Sequence, residues 1–218
     1  MRYAILDTGG SRSFAAGQAL LTGAKKGLES AEVVIVLGEH AGSHAKSLRK
    51  WQDKAAVLIE LGTECVGVHT GESRGEEGSN VLGFARFRLG DNEATNLVEL
   101  VRQPRTSEAA LAAAKAIFET AGLQVAVCGD FTGRIIDRLV RPYYNAALRR
   151  LDEGLATADD LDTTLKLGLG YPEGPTALLE KSGLAHHCDV TQALFEATGD
   201  AGFAPARRAR VARQIQKR

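Results

Sequence analysis

Hydrophobic positions follow two rhythms along this chain. Up to about residue 130, short apolar runs alternate with longer stretches of helical character. The runs Arg2–Asp7, Glu32–Leu37, Ala55–Leu61, Val81–Leu89, Leu97–Val101 and Val125–Cys128 predict strands. Val33 to Leu37 is a continuous, mostly β-branched run, the pattern of a strand buried on both faces of a parallel sheet. Between these runs, Phe14 to Leu28 predicts a helix weakened by Gly17, Gly23 and Gly27, and Ser43 to Lys54 a polar helix carrying Trp51. Thr106 is positioned to cap an alanine-rich helix through Thr120, with Gly122 ending it. The glycine-, serine- and glutamate-rich stretch Val66 to Asn80 has too little apolar surface for a core and predicts a mobile loop.

Beyond residue 130 only the helical period remains. Ile135, Ile136, Leu139, Val140, Tyr143, Tyr144, Ala147, Leu148 and Leu151 form one wide apolar flank, and Gly154 stands where a left-handed residue would end that helix. Thr157 and Asp160 form a capping pair for the next helix, whose buried stripe would be Leu161, Leu165 and Leu167. Gly170 and Pro172 stop it. The change of rhythm divides the chain into an α/β domain, residues 1–129, and a helical domain, residues 130–218.

Composition narrows the classes. Lys+Arg and Asp+Glu balance at 27 each, so no overall field favours nucleic acid or an anionic membrane. No apolar run approaches the ~20 residues of a membrane span, and the start lacks a secretion-signal pattern. Three well-separated cysteines fit neither a disulfide framework nor a zinc knuckle, so a reducing cytoplasm is the expected location. His40 and His44 stand four apart after a strand, but no third ligand accompanies them, and no metal is expected. The arginines between Arg207 and Arg218 suggest either an anion-binding tail or a solvated terminal helix.

The order D-x-x-G-x-I-x-x-R-L-x-x-P-Y-x-N-A from Asp130, followed by K-L-G-L-G-Y-P-x-G-P to Pro175, resembles the C-terminal domain of 3-hydroxyacyl-CoA dehydrogenases. Asn96-Leu-Val-Glu-Leu-Val-Arg and Thr106-Ser-Glu extend the likeness upstream. The resemblance implies a shortened Rossmann-like parallel sheet followed by an all-helical C-terminal domain, which in the family forms the dimer contact and one wall of an acyl-CoA cleft. A homodimer through the helical domain is therefore expected, with Tyr143, Tyr144, Leu148 and Leu167 as its apolar patch.

The family's catalytic groups imply positions here. The orienting glutamate corresponds to Glu99 and the proton-accepting histidine to Ala85. Thr63 is the available hydroxyl at the serine position, and Asp137 stands at the asparagine position. A dinucleotide site requires three glycines at fixed spacing. The first turn, Asp7-Thr-Gly-Gly-Ser, offers only Gly9 and Gly10. No cofactor is expected on that ground. Two readings follow: a degenerate, CoA-ester-binding or assembly subunit without NAD, or an active NAD-dependent dehydrogenase using Glu99, Asp137 and Thr63, with Gly9 and Gly10 at the cofactor. A third is a regulatory protein whose basic C-terminal helix meets an acidic partner.

Overall fold

A computed structural model describes residues 1–44, 49–89 and 93–217. Two compact units are formed, Met1–Arg88 with Ala94–Arg134, and Leu89–Glu93 with Ile135–Arg218.

The first unit is built on one six-stranded sheet: β1 (Tyr3–Asp7), β2 (Val33–Leu37), β3 (Ala56–Glu60), β4 (Val81–Arg86), β5 (Leu97–Arg102) and β6 (Gln124–Gly129). The strands lie side by side in chain order. β1 to β4 pair in parallel, and so do β5 and β6. β4 and β5 run antiparallel, so the expected parallel sheet is a mixed one. The short link between those two strands explains this, because a parallel return needs a crossover of a dozen or more residues. Along β2, Val33, Ile35 and Leu37 pack into one apolar cluster, and Val34 and Val36 into the other. Both faces are covered, which is why the β-branched run carries no polar alternation.

Helices in this unit are fewer than the pattern predicts. Phe14 and Leu20 are buried, but only Ala19–Gly23 (α1) is helical. The expected helix Ser43–Lys54 is replaced at both ends by 3-10 turns, Ala41–His44 and Arg49–Trp51, and its middle lies outside the described residues. The stretch Val66 to Asn80 is tied down rather than structureless. Val66 is fully buried, Gly67–Thr70 forms one helical turn (α2), and both carboxylate oxygens of Asp130 accept from the Val66 and Gly67 amides at 2.6 and 2.7 Å. The alanine-rich helix spans Glu108–Thr120 (α3) and is capped by Ser107, which accepts from the Ala110 amide. Thr106, the expected cap, instead accepts from the Gln103 amide.

The second unit contains five helices among the described residues: α4 (Ile136–Asp152), α5 (Ala158–Leu169), α6 (Pro175–Ser182), α7 (Leu184–Thr198) and α8 (Arg207–Gln216). Gly154 and Gly170 take the left-handed conformation that ends α4 and α5. Thr157 caps α5, and its hydroxyl donates to the Asp160 carboxylate. The Asp162 carboxylate reaches across to the start of α6 and accepts from the Thr176 and Ala177 amides at 2.9 Å each. A side chain at Gly174 would collide with Asp162, which gives the glycine of the Tyr-Pro-x-Gly-Pro stretch its reason. The expected buried stripe of α5 is corrected: none of its residues is buried, and Leu167 is 83% exposed. Tyr144 and Leu148, assigned to a dimer patch, are instead buried within this unit. In α8, Arg207 and Arg208 pair with Asp152, and Arg213 with Asp189.

Candidate functional site

Glu99 lies in the middle of β5, 3% exposed. The antiparallel ladder sets Ala85 of β4 directly opposite it. Residues paired this way have Cβ atoms about 5 Å apart on the same face, so Ala85 is where a β4 side chain would meet the Glu99 carboxylate. A methyl group stands there. Arg134 is a partner of Glu99: its Nε lies 3.5 Å from Oε2.

Arg134 is placed by its backbone. It follows Gly133 and has φ 50°, a left-handed conformation that costs a side-chain-bearing residue energy. Its Nη2 donates to the Gly62 carbonyl at 2.8 Å, and the Gly133 amide donates to the Thr63 carbonyl at 3.0 Å. Thr63 and Glu99 are therefore joined through one arginine and its glycine neighbour. Arg134 Nε and Nη1 are both buried without a hydrogen-bond partner among the described residues, so the contact with Glu99 is an ion pair and not a hydrogen bond. The charge of Glu99 is felt locally: burial, and then Glu99, push the Cys128 thiol up to about 11, against the pull of Arg134.

The loop after β3 also holds His69, which the sequence pattern did not single out. Its Nε2 lies 3.3 Å from Glu64 Oε1, and its ring fills the space beside Gly42 that a β-carbon would need. Burial works to raise the Glu64 carboxyl, but the His69 contact and backbone amides outweigh it and hold the group below its ordinary value.

The turn carrying Gly9 and Gly10 is engaged within the protein. Gly9 donates to its neighbour Asp7 at 2.9 Å, and its carbonyl accepts from the Glu39 amide at 2.7 Å. Gly38 touches the Gly9 backbone where any side chain would collide. The Ser13 and Gly38 amides both donate to Glu60, at the C-terminal end of β3. Glu60 and its donors lie 22 to 49 residues apart in the chain, a separation that no local motif spans.

Asp137 belongs to the second unit and is committed there. Its Oδ1 accepts from Arg141 Nε at 2.8 Å, one helical turn along α4. Arg141 Nη1 lies 3.2 Å from His187 Nδ1, and His187 Nε2 lies 3.0 Å from Asn145 Oδ1. Guanidinium nitrogens only donate, so Nδ1 is the acceptor and Nε2 carries the proton. The imidazole is neutral, and burial first, then the Arg141 charge and the neighbouring His186, lower its pKa to about 3. Asn145 Oδ1 also accepts from the Ala206 amide at the start of α8, so this buried chain ties α4, α7 and α8 together. No group of three or more metal-ligating side chains occurs among the described residues, His40 and His44 included. Among the described residues, no helix is long and apolar enough to cross a membrane.

Comparison with known proteins agrees with the helical half. Residues 133–216 match the model of the 3-hydroxyacyl-CoA dehydrogenase, C-terminal domain. The chain is 36% identical over 109 residues to a 3-hydroxybutyryl-CoA dehydrogenase of Bradyrhizobium diazoefficiens, covering 50% of this chain and 37% of that protein. It is 42% identical over 88 residues to the mitochondrial hydroxyacyl-coenzyme A dehydrogenase of Sus scrofa, covering 40% and 28%. The chain thus spans only about a third of these curated relatives. Among solved structures, the (S)-3-hydroxybutyryl-CoA dehydrogenase of Ralstonia eutropha superposes with TM-score 0.70 at 24% identity, over 86% of this chain and 67% of that one. A 3-hydroxybutyryl-CoA dehydrogenase of Escherichia coli gives TM-score 0.72 at 23% identity, over 86% and 40%. These structural likenesses establish a common fold, a Rossmann-like α/β sheet with a helical C-terminal domain. Residues 133–216 thus carry a domain of the 3-hydroxyacyl-CoA dehydrogenase C-terminal type, and the chain is in that sense 3-hydroxyacyl-CoA dehydrogenase-like.

Proposed function

We propose that this protein is a degenerate member of the family, acting in fatty-acid or aromatic-acid acyl-CoA metabolism as a CoA-ester-binding or assembly subunit that does not use NAD. The carrying observation is the β4–β5 pairing: Ala85 faces Glu99, and Arg134 engages the carboxylate. General acid–base chemistry needs a group that gains and releases a proton near neutral pH. Ala85 has no such group, and the Glu99 carboxylate faces the Arg134 guanidinium instead of a base. The turn of Gly9 and Gly10 fits a dinucleotide poorly, because the Gly9, Ser13 and Gly38 amides already donate to carboxylates of the protein. The strands also follow one another in chain order from β1 to β6, and dinucleotides bind where strand order reverses.

In this reading the protein is cytoplasmic and a homodimer. The exposed Leu155, Leu167, Leu169 and Tyr171 of the helical unit supply apolar surface for the second copy. Nucleic acid is not a partner, since the arginines Arg207, Arg208 and Arg213 of α8 are paired with Asp152 and Asp189. The names of the relatives favour a second reading, an active dehydrogenase in which Glu99, Asp137 and Thr63 act on the substrate and Gly9 and Gly10 meet NAD. Titration calorimetry separates the two. Heat on adding acetoacetyl-CoA, with none on adding NAD, is the expected result. Micromolar NAD affinity would reject the proposal in favour of the active enzyme.

A further inference from the structure

Three donors from two separate turns converge on one buried carboxylate. Ser11 Oγ and the Ser13 amide donate to Glu60 Oε1 at 3.0 and 2.8 Å, and the Gly38 amide donates to Oε2 at 2.7 Å. Glu60 is 6% exposed and Ser13 3%. The donors sit beyond the C-terminal ends of β1 and β2, with Glu60 closing β3 beside them. Backbone amides clustered in turns of this kind suit an anion.

We propose that Glu60 is the resident anion of this turn, an internal carboxylate occupying the position that a ligand's phosphate or carboxylate would otherwise take. The inference deepens the reading of a protein that does not use NAD, and it supplies the physical reason. The electrostatics of the loop agree with it. Arg86, also buried, holds the next peptide group: its Nη1 donates to the Ser13 carbonyl and to Gln18 Oε1, both at 2.7 Å. The same guanidinium stacks on Phe14 at 5.0 Å. One buried anion thus holds the Ser11 hydroxyl and the Ser13 N–H, while one buried cation holds the Ser13 carbonyl. Ser11 Oγ bridges the two regions by accepting from the Phe14 amide at 3.0 Å while donating to Glu60. A phosphate entering this turn would have to displace a carboxylate that is already desolvated and fully paired, and like-charge repulsion would oppose its approach.

Removing the carboxylate should open the site. In Glu60→Ala, the thermal midpoint is expected to fall by roughly 5–10 °C, since donors are left buried without an acceptor. Sodium formate or inorganic phosphate should restore part of that loss, while the wild-type midpoint responds only as it does to sodium chloride at equal ionic strength. Absence of rescue by both anions would overturn the proposal. Should Glu60→Ala fail to fold, Glu60→Gln keeps the shape without the charge. Amide hydrogen exchange at Ser13 and Gly38 should then accelerate roughly tenfold over wild type, while β2 stays protected; unchanged exchange at both amides would reject the idea. If wild-type protein bound NAD with Ser13 and Gly38 still protected, the reading of function would fall and this inference would stand.

Discussion

Arg134 is held by two demands that a single substitution can separate. Its backbone sits in a left-handed conformation, and its side chain, 5% exposed, is the cation beside Glu99. Removing one member of a buried pair leaves an uncompensated charge, at a cost of about 3–5 kcal/mol, whereas replacing both with apolar groups often costs far less. Glu99→Gln should therefore lower unfolding stability by about 3 kcal/mol in urea, and adding Arg134→Met should recover part of the loss. If the double variant is less stable than the single, Glu99 and Arg134 do not compensate each other. His187 gives a pH signature. Its folded pKa, about 3, lies below the unfolded value near 6.5, so between those limits the unfolded chain binds the extra proton. Stability from this group is full above about pH 6.5 and declines as pH falls toward 3, by at most roughly 1.4 kcal/mol per pH unit. Denaturant midpoints of wild type and His187→Gln, measured at pH 7 and pH 5, should converge at the lower pH. Parallel shifts would show that His187 is not the titrating group. At this scale, short-range contacts were legible in the sequence: Thr157 with Asp160 lies within one turn. Glu60 with Gly38, or His187 with Asn145, required the tertiary fold, because nothing local marks a carboxylate or an imidazole as already partnered.

Among the elements, α5 shows what periodicity can and cannot say. Its leucines recur at helical spacing and its cap forms as the residues dictate, yet Leu167 and Leu169 remain 83% and 63% exposed. The period identifies an apolar face and leaves open what covers it. If the cover is a second copy, Leu167→Glu should shift the protein to monomer in sedimentation equilibrium at micromolar concentration, with protomer stability changed by no more than about 0.5 kcal/mol, as for an exposed site. An unaltered dimer, or a wild type that is itself monomeric, would remove α5 from any interface. The strands were legible because each is a compact apolar run, whereas the helix predicted around Phe14 is confined to Ala19–Gly23 and the described ends of the one predicted from Ser43 are 3-10 turns. Glycines in the first weaken the helix, and the second offers Trp51 as its one large buried anchor among the described residues.

For the whole molecule, two compact units form, one on the six-stranded sheet and one of helices. The antiparallel β5 was hidden, because a buried strand reads alike in either direction. The helical half could be assigned from its motif order, and that half carries the family match. The α/β half keeps the fold of its relatives while Glu99 faces Ala85 and is engaged by Arg134. The central claim, a family member without NAD-dependent turnover, is tested most directly by following NADH absorbance in the presence of acetoacetyl-CoA and purified protein. A flat trace, unchanged in Ala85→His because the cofactor would still lack its place, is the predicted result. Steady NADH consumption that Glu99→Gln abolishes would contradict it.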